Sequence, residues 1–220
     1  MSLKESVKVN AQRVWKFIWH TDSLASWIVN IVLAFVLIKF VVYPVLGALL
    51  GTSFPLVAVV SPSMEHEPWF DEWWTEKGAW YEQRNITKAE FQEFPMRNGF
   101  NKGDIIVLRQ KQPENIELGD IIVFVSHRDR PRQDPIIHRV VKKWEVESGI
   151  RFATKGDANN GQIDDCSDNC LDETNIAQQQ VLGVSLLRIP YLGWVKIAFV
   201  SLIGQPYCSI TNNLWPCRGV

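Results

Sequence analysis

This 220-residue sequence has almost no charge imbalance: 23 Lys and Arg face 24 Asp and Glu, for a net charge of −1. It has no basic run long enough to form a nucleic-acid surface, so no nucleic-acid partner is expected. It is also too polar to cross a membrane many times. Hydrophobic residues make up 46% and mean hydropathy is −0.06, which fits a single span carrying a polar body. Cysteine and histidine are scarce, with four of each. Cys166 and Cys170 form one close pair and Cys208 and Cys217 another. Neither spacing is the usual two-residue gap and no His lies nearby, which argues against zinc. Four cysteines allow three pairings; pairing between neighbours is the expectation, and free thiols are the alternative. Tryptophan, by contrast, is abundant at 10 residues, and it favours membrane interfaces.

One long apolar run is present, Trp27 to Leu50, interrupted only by Lys39. A bilayer crossing needs about 20 apolar residues. The run is too long for a cleaved secretory signal and lacks a small-residue cleavage site after a short core, so a retained anchor is predicted. Lys4, Lys8, Arg13 and Lys16 precede it. Between Leu50 and Lys77 there is no Lys or Arg, while Glu65, Glu67, Asp71, Glu72 and Glu76 are acidic. The positive-inside rule then predicts residues 1–26 in the cytosol, 27–50 across the cell membrane and 51–220 outside. Leu3, Val7, Val14, Phe17 and Ile18 recur near helical spacing, which suggests a basic amphipathic helix on the inner leaflet. A partly ordered basic tail is the alternative.

After the anchor, short β-type runs dominate: Phe54 to Val60, Ile105 to Leu108, Ile121 to Val125 and Val181 to Ile189. Gly103-Asp104 and Gly119-Asp120 each introduce an IIV run, a turn feeding a buried strand. Ile136 to Val146 and Ile150 to Thr154 read as a hairpin around Ser148-Gly149. The predicted fold is mainly β, a partly closed barrel. Residues 69–102 differ, being acidic and aromatic, and read as an inserted flap. Thr87 to Phe94 within it reads as a short helix capped by Thr87, with Glu90 three residues on. The aromatics there either meet the membrane interface or form a small core. Tyr191 to Gly204 is apolar but too short to span, so it either lies on the membrane or closes the core.

Ser63 follows a β run within VAVVSPSM, and Ser61 sits two residues earlier. A serine nucleophile needs a base and an oxyanion site. The Ser61 hydroxyl and the Ser63 backbone N–H are candidate oxyanion donors. Serines in such turns are otherwise only turn formers. Four histidines are available as base. His20 falls on the cytosolic side, and His66 and His127 read as surface residues. His138 alternates with Ile136 and Val140 and so projects from an apolar strand face. It is either a satisfied core histidine or a desolvated base on a rigid strand. Thr154-Lys155-Gly156-Asp157-Ala158-Asn159-Asn160, followed by Asp164-Asp165, supplies acids that could orient an imidazole. The alternatives are a solvated acidic loop or a weak calcium site shared with Asp168.

Taken in order, these blocks resemble a family. VVSPSME, GDIIVF at 119–124, PIIHRVV at 135–141, TKGDANN with its trailing acids, and LLRIPYLGWV resemble an archaeal type I signal peptidase, which is similar to the catalytic subunit of the ER signal peptidase complex. The resemblance runs from the anchor to about residue 195. It implies a serine endopeptidase that removes signal peptides from exported precursors, cutting after small residues at −1 and −3. It implies Ser63 as nucleophile, His138 as base, Asp165 as the acid orienting His138, Asp157 as a supporting acid and Ser61 as an oxyanion donor. It implies no metal or organic cofactor. The implied partners are signal-bearing precursors, the lipid bilayer and the protein translocation channel. Lys142 and Lys143 do not take the position where bacterial relatives carry a lysine base.

The chain departs from the family pattern at Pro62, where glycine is usual, and at His66-Glu67, inserted before Pro68. It also has two extra residues before Asp164-Asp165, which leaves the choice among Asp157, Asp164 and Asp165 open. The insert 69–102 has no counterpart in short family members. Three other readings remain: a Ser/Lys protease like the self-cleaving repressors, a non-catalytic membrane-anchored binding module, and an inactive paralogue.

Overall fold

The computed structural model describes residues 3–21, 23–126, 135–165 and 171–194. His127, Asp168, all four cysteines and residues 195–204 of the C-terminal apolar stretch lie outside the described residues. The chain divides into two units, Met1–Leu49 and Leu50–Val220.

In the first unit, helix α1 (Leu3–His20) is followed by α2 (Leu24–Leu37), a π-helical turn (Ile38–Val42) and α3 (Tyr43–Leu50). Ser23 caps α2 by accepting from the Ser26 N–H at 3.1 Å. The last carbonyls of a helix have no intrahelical partner. Here Ser26 Oγ donates to the Phe17 carbonyl at 2.7 Å and Asn30 Nδ2 to the Ile18 carbonyl at 3.0 Å, so two residues one turn apart on α2 satisfy the end of α1. The π turn precedes Pro44, whose ring cannot join an ordinary α-helical ladder. Leu24–Leu50 is together 27 residues, apolar and long enough to cross a membrane. It starts earlier than the apolar run because the cap is Ser23.

The second unit is built on one antiparallel sheet, as expected of a mainly β domain. Its strands are β1 (Leu56–Ala58), β2 (Ile105–Arg109), β3 (Ile121–Phe124), β4 (Ile136–Val146), β5 (Gly149–Lys155), β8 (Ile176–Ala177) and β9 (Val181–Ile189). Between β5 and β8 lies a small hairpin of β6 (Asp164–Asp165) and β7 (Leu171–Asp172). The sheet order is β1-β2-β9-β3-β4-β5-β8, a half-barrel. β1 is shorter than the apolar run around it. Its partner β2 starts only at Ile105, so Val59 bonds the preceding turn instead, donating to the Asp104 carbonyl at 2.9 Å.

The two Gly-Asp pairs form equivalent turns. Gly103 and Gly119 both have positive φ, +91° and +89°. Asp104 accepts from the Asn101 N–H at 2.8 Å and Asp120 from the Glu117 N–H at 2.9 Å, each three residues back. The turns launch β2 and β3, which flank β9 on either side. The first six residues of β4 are all buried, so both faces of this strand are covered where His138 sits. One core cluster holds Ile122, Phe124, Ile136, Val140, Phe152 and Val184. Another holds Val59, Met64, Phe100, Ile106, Leu108 and Val123.

The insert contains two helices, α4 (Phe70–Glu82) and α5 (Lys88–Gln92). Thr87 caps α5 by accepting from the Glu90 N–H at 3.2 Å. Of the two readings of the aromatics, the small core is the one observed. Trp73, Trp74, Tyr81, Ile86 and Phe91 pack against Val141 of β4 and Ala153 of β5. Trp69 alone among the insert tryptophans is largely exposed, at 73%. The insert is therefore seated on the sheet by a third cluster next to the strands that carry the site.

Candidate active site

The turn at Ser61–Glu65 is held at both ends. Gly103 N–H donates to the Val59 carbonyl and Phe100 N–H to the Met64 carbonyl, at 2.9 and 3.0 Å. Within it Glu65 N–H closes onto the Pro62 carbonyl at 3.0 Å. Met64 is fully buried and acts as the plug of the turn, leaving Ser61 and Ser63 toward solvent. The Ser63 carbonyl accepts from Ala158 N–H at 2.9 Å, which ties this turn to the Gly156–Asn160 turn after β5.

His138 points from β4 toward the same place. Its Nε2 lies 2.9 Å from Ser63 Oγ, although the two residues are 75 apart in sequence. Its Nδ1 meets Glu173 Oε1, and the carboxylate is fully buried. A carboxylate can only accept, so Nδ1 carries the proton and Nε2 is left to accept from the Ser63 hydroxyl. Glu173 is itself fixed. Ile163 N–H donates to its Oε2 at 2.7 Å and Thr154 Oγ1 to its Oε1 at 3.3 Å. Ser61 Oγ is 3.1 Å from Ser63 Oγ. Gly156 is required by close approach: a Cβ there would lie 2.8 Å from His138 Nε2 and 2.9 Å from the Ser63 carbonyl oxygen. A cleft of about 370 Å³ opens beside Ser63, lined also by Ser61, Trp73, Lys77, Ala158 and Asn159.

Ser61, Ser63 and His138 thus come together. The carboxylate on Nδ1 is a correction to the sequence reading. The resemblance gives that place to Asp165, and the structure gives it to Glu173. Asp165 lies in β6 opposite Leu171. The β6–β7 hairpin returns the chain so that Glu173 N–H bonds the Ile163 carbonyl at 2.9 Å, which carries the glutamate to the imidazole. Glu173 follows Leu171-Asp172 in an unremarkable acidic stretch, and nothing in its spacing signals this role.

Asp157 does not bond His138. Its carboxylate accepts from Arg139 Nε and Nη2 at 3.0 and 2.7 Å and from Tyr81 Oη at 2.9 Å, and His66 Nε2 lies 2.9 Å from it. Burial by itself would raise this carboxyl. The Arg139 guanidinium and the hydrogen bonds from His66 and Arg139 outweigh it and hold Asp157 well below the usual carboxylate range. Arg139, wholly buried, also donates to the carbonyls of Gly119, Pro95 and Met96. Tyr81 is pushed up by burial and by the Asp157 charge.

His66 is a second correction. It reads as a surface residue, yet it is buried, stacked on Trp73 with ring centroids 3.7 Å apart. Its polar neighbours in sequence hid an aromatic partner seven residues on. Lys155 is also buried and donates to the carbonyls of Gly156 and Asp157 at 3.0 and 3.2 Å. Lys143 donates to the Glu114 and Ile116 carbonyls. Among the described residues no lysine Nζ bonds Ser63. The described residues also contain no cluster suited to a metal ion.

No protein-family model matches the chain. Curated relatives do. SEC11 of the fungus Colletotrichum graminicola, named signal peptidase complex catalytic subunit, is 30% identical over 120 residues, covering 50% of this chain and 67% of the relative. The chain belongs to the signal peptidase catalytic subunit family. Human SEC11C, of the same name, is 34% identical over 103 residues, covering 46% of this chain and 51% of the relative. Fission yeast sec11 is 36% identical over 124 residues, covering 46% and 61%. The signal peptidase match thus spans about half the length of human SEC11C. These relatives are animal and fungal, so they support the family without the archaeal type.

Proposed function

We propose that this chain is a membrane-anchored serine endopeptidase that removes signal peptides from exported precursors. The observation that carries this reading is the chain of contacts from Ser63 Oγ to His138 Nε2 and from His138 Nδ1 to Glu173. It is the geometry of an activated hydroxyl, a base and an orienting acid. The family membership supplies the substrate class. The apolar helix Leu24–Leu50 is the proposed anchor, with the N-terminus cytosolic and the catalytic unit outside the cell membrane.

In this mechanism an extended precursor segment pairs with an edge of the sheet by β-augmentation, with small residues at −1 and −3. His138 Nε2 takes the Ser63 proton as Oγ attacks the scissile carbonyl. Glu173 holds the imidazole in the accepting tautomer and stabilises the imidazolium, the part the resemblance assigns to Asp165. The oxyanion is met by the Ser61 hydroxyl and the Ser63 N–H. The imidazolium then gives its proton to the departing amine, leaving an acyl-enzyme on Ser63. Water, deprotonated by His138, attacks that ester, and Ser63 recovers its proton. Asp157 serves as a supporting acid that neutralises Arg139 beneath the site.

The test is cleavage of a signal-bearing precursor by purified protein in detergent or proteoliposomes, with Ser63→Ala and His138→Ala beside wild type. The expected result is cleavage after a small residue, abolished in both variants. Cleavage that persists in Ser63→Ala overturns the reading.

A further inference from the structure

Helix α4 of the insert carries Trp73, Lys77 and Tyr81 at intervals of four, so the three side chains form one stripe. All three donate to the same turn. Trp73 Nε1 bonds the Asp157 carbonyl at 3.2 Å, Lys77 Nζ bonds Asn160 Oδ1 at 2.7 Å, and Tyr81 Oη bonds Asp157 Oδ1 at 2.9 Å. Lys77 is also paired with Glu76 at 2.7 Å, which steadies its head group. His66 adds a lateral brace, stacked on Trp73 and 2.9 Å from Asp157 Oδ2. The turn so held is the one whose Ala158 N–H bonds the Ser63 carbonyl, and whose Gly156 abuts His138 Nε2.

We propose that α4 is a positioning helix for the nucleophile, and that Lys77 and Tyr81 are positioning residues acting through the 157–160 turn. The stripe fixes the turn, the turn fixes the Ser63 carbonyl, and that carbonyl sets the aim of Ser63 Oγ at His138. Trp73 and Lys77 line the same cleft as Ser63, so the helix that fixes the turn also forms a wall of the space a substrate would occupy. A helix present only for packing would need Trp73, Trp74, Tyr81 and Phe91 in its core, but it would not need the Lys77 bond or the Tyr81 hydroxyl. This proposal rests on the reading of Ser63 as nucleophile.

Two mild variants test it. Tyr81→Phe removes one hydroxyl and keeps the buried ring. Lys77→Met removes the bond to Asn160 at a partly exposed site, and Lys77→Arg restores a donor. The readouts are kcat and KM on a signal-bearing precursor, and hydrogen exchange at the Ala158 amide. The expected result is a kcat about tenfold lower with KM within about twofold for both removals, since small misplacement of reacting groups acts on turnover. Ala158 should exchange faster in both, and Lys77→Arg should recover both readouts. Unchanged kcat and unchanged Ala158 exchange, with only a lower Tm, would make α4 a packing element and overturn the proposal. A wild type that cleaves nothing defeats the protease reading, while the exchange data still decide whether α4 holds the turn. If Tyr81→Phe does not fold, Lys77→Met decides.

Discussion

Replacing Glu173 by Gln separates the site as built from the site as its family pattern suggests. The exchange is nearly isosteric and leaves the β6–β7 hairpin its side chain. Its effect follows from the partners already fixed. Ile163 N–H points at Oε2 from 2.7 Å and needs an acceptor, so the new amide oxygen is held there. The amide NH₂ must then face His138 Nδ1, with Thr154 Oγ1 free to accept from it. A donor at Nδ1 forces the imidazole proton onto Nε2, where it opposes the Ser63 hydroxyl instead of accepting from it. Turning the amide over would set two N–H groups against each other at Ile163, and an unsatisfied buried donor costs about 1–3 kcal/mol. The wrong tautomer at a serine–histidine pair lowers kcat by about 10⁴, or about 5 kcal/mol in the barrier. The assay is single-turnover cleavage of a signal-bearing precursor at neutral pH, with Asp165→Asn as comparison and circular dichroism melting to confirm folding. The expected outcome is a loss of about three to four orders of magnitude in Glu173→Gln and a change within a few-fold in Asp165→Asn. A folded Glu173→Gln that keeps turnover within about tenfold of wild type refutes the reasoning, most clearly if Asp165→Asn loses it instead.

Two further outcomes are expected. Gly156→Ala puts a Cβ 2.8 Å from His138 Nε2 and 2.9 Å from the Ser63 carbonyl, so the pair must separate by several tenths of an ångström. Activity should fall by about a hundredfold at a stability cost of about 1–3 kcal/mol, and near-normal kcat/KM would show that the site yields without harm. Burial pushes the Lys155 ammonium down to about 8, with the Asp157 and Glu173 charges opposing, against a usual 10.5. Between those values the unfolded chain holds a proton that the folded chain has released, so stability attributable to Lys155 rises with pH from about 8 to 10.5. Urea midpoints across that range should climb less in Lys155→Met than in wild type, and parallel profiles would refute the shift.

The sequence by itself determined the elements whose signal is local. A long apolar run, broken only by Lys39, sets the long helix, since composition alone decides that length and hydropathy. Gly-Asp turns before β2 and β3, the hairpin at Ser148-Gly149 and the Thr87 cap depend on φ preference and side-chain donors within a few residues, so they were legible. So were Ser63, at the end of a β run, and His138, whose alternation with Ile136 and Val140 put it on a covered strand face. The pairing of those two, the acid and the insert were decided only by tertiary structure. Ser63 and His138 meet because the Met64 plug and the Ala158 bond bring two distant turns to β4. Glu173 was hidden because a carboxylate is chosen by which one the β6–β7 return carries to Nδ1, and Asp157, Asp164, Asp165 and Glu173 are chemically alike along the chain. His66 read as exposed because burial of a polar ring depends on Trp73 and Asp157 arriving from elsewhere. The membrane-or-core choice for the insert aromatics was open for the same reason: periodicity shows that a face is apolar, and only the fold shows what covers it.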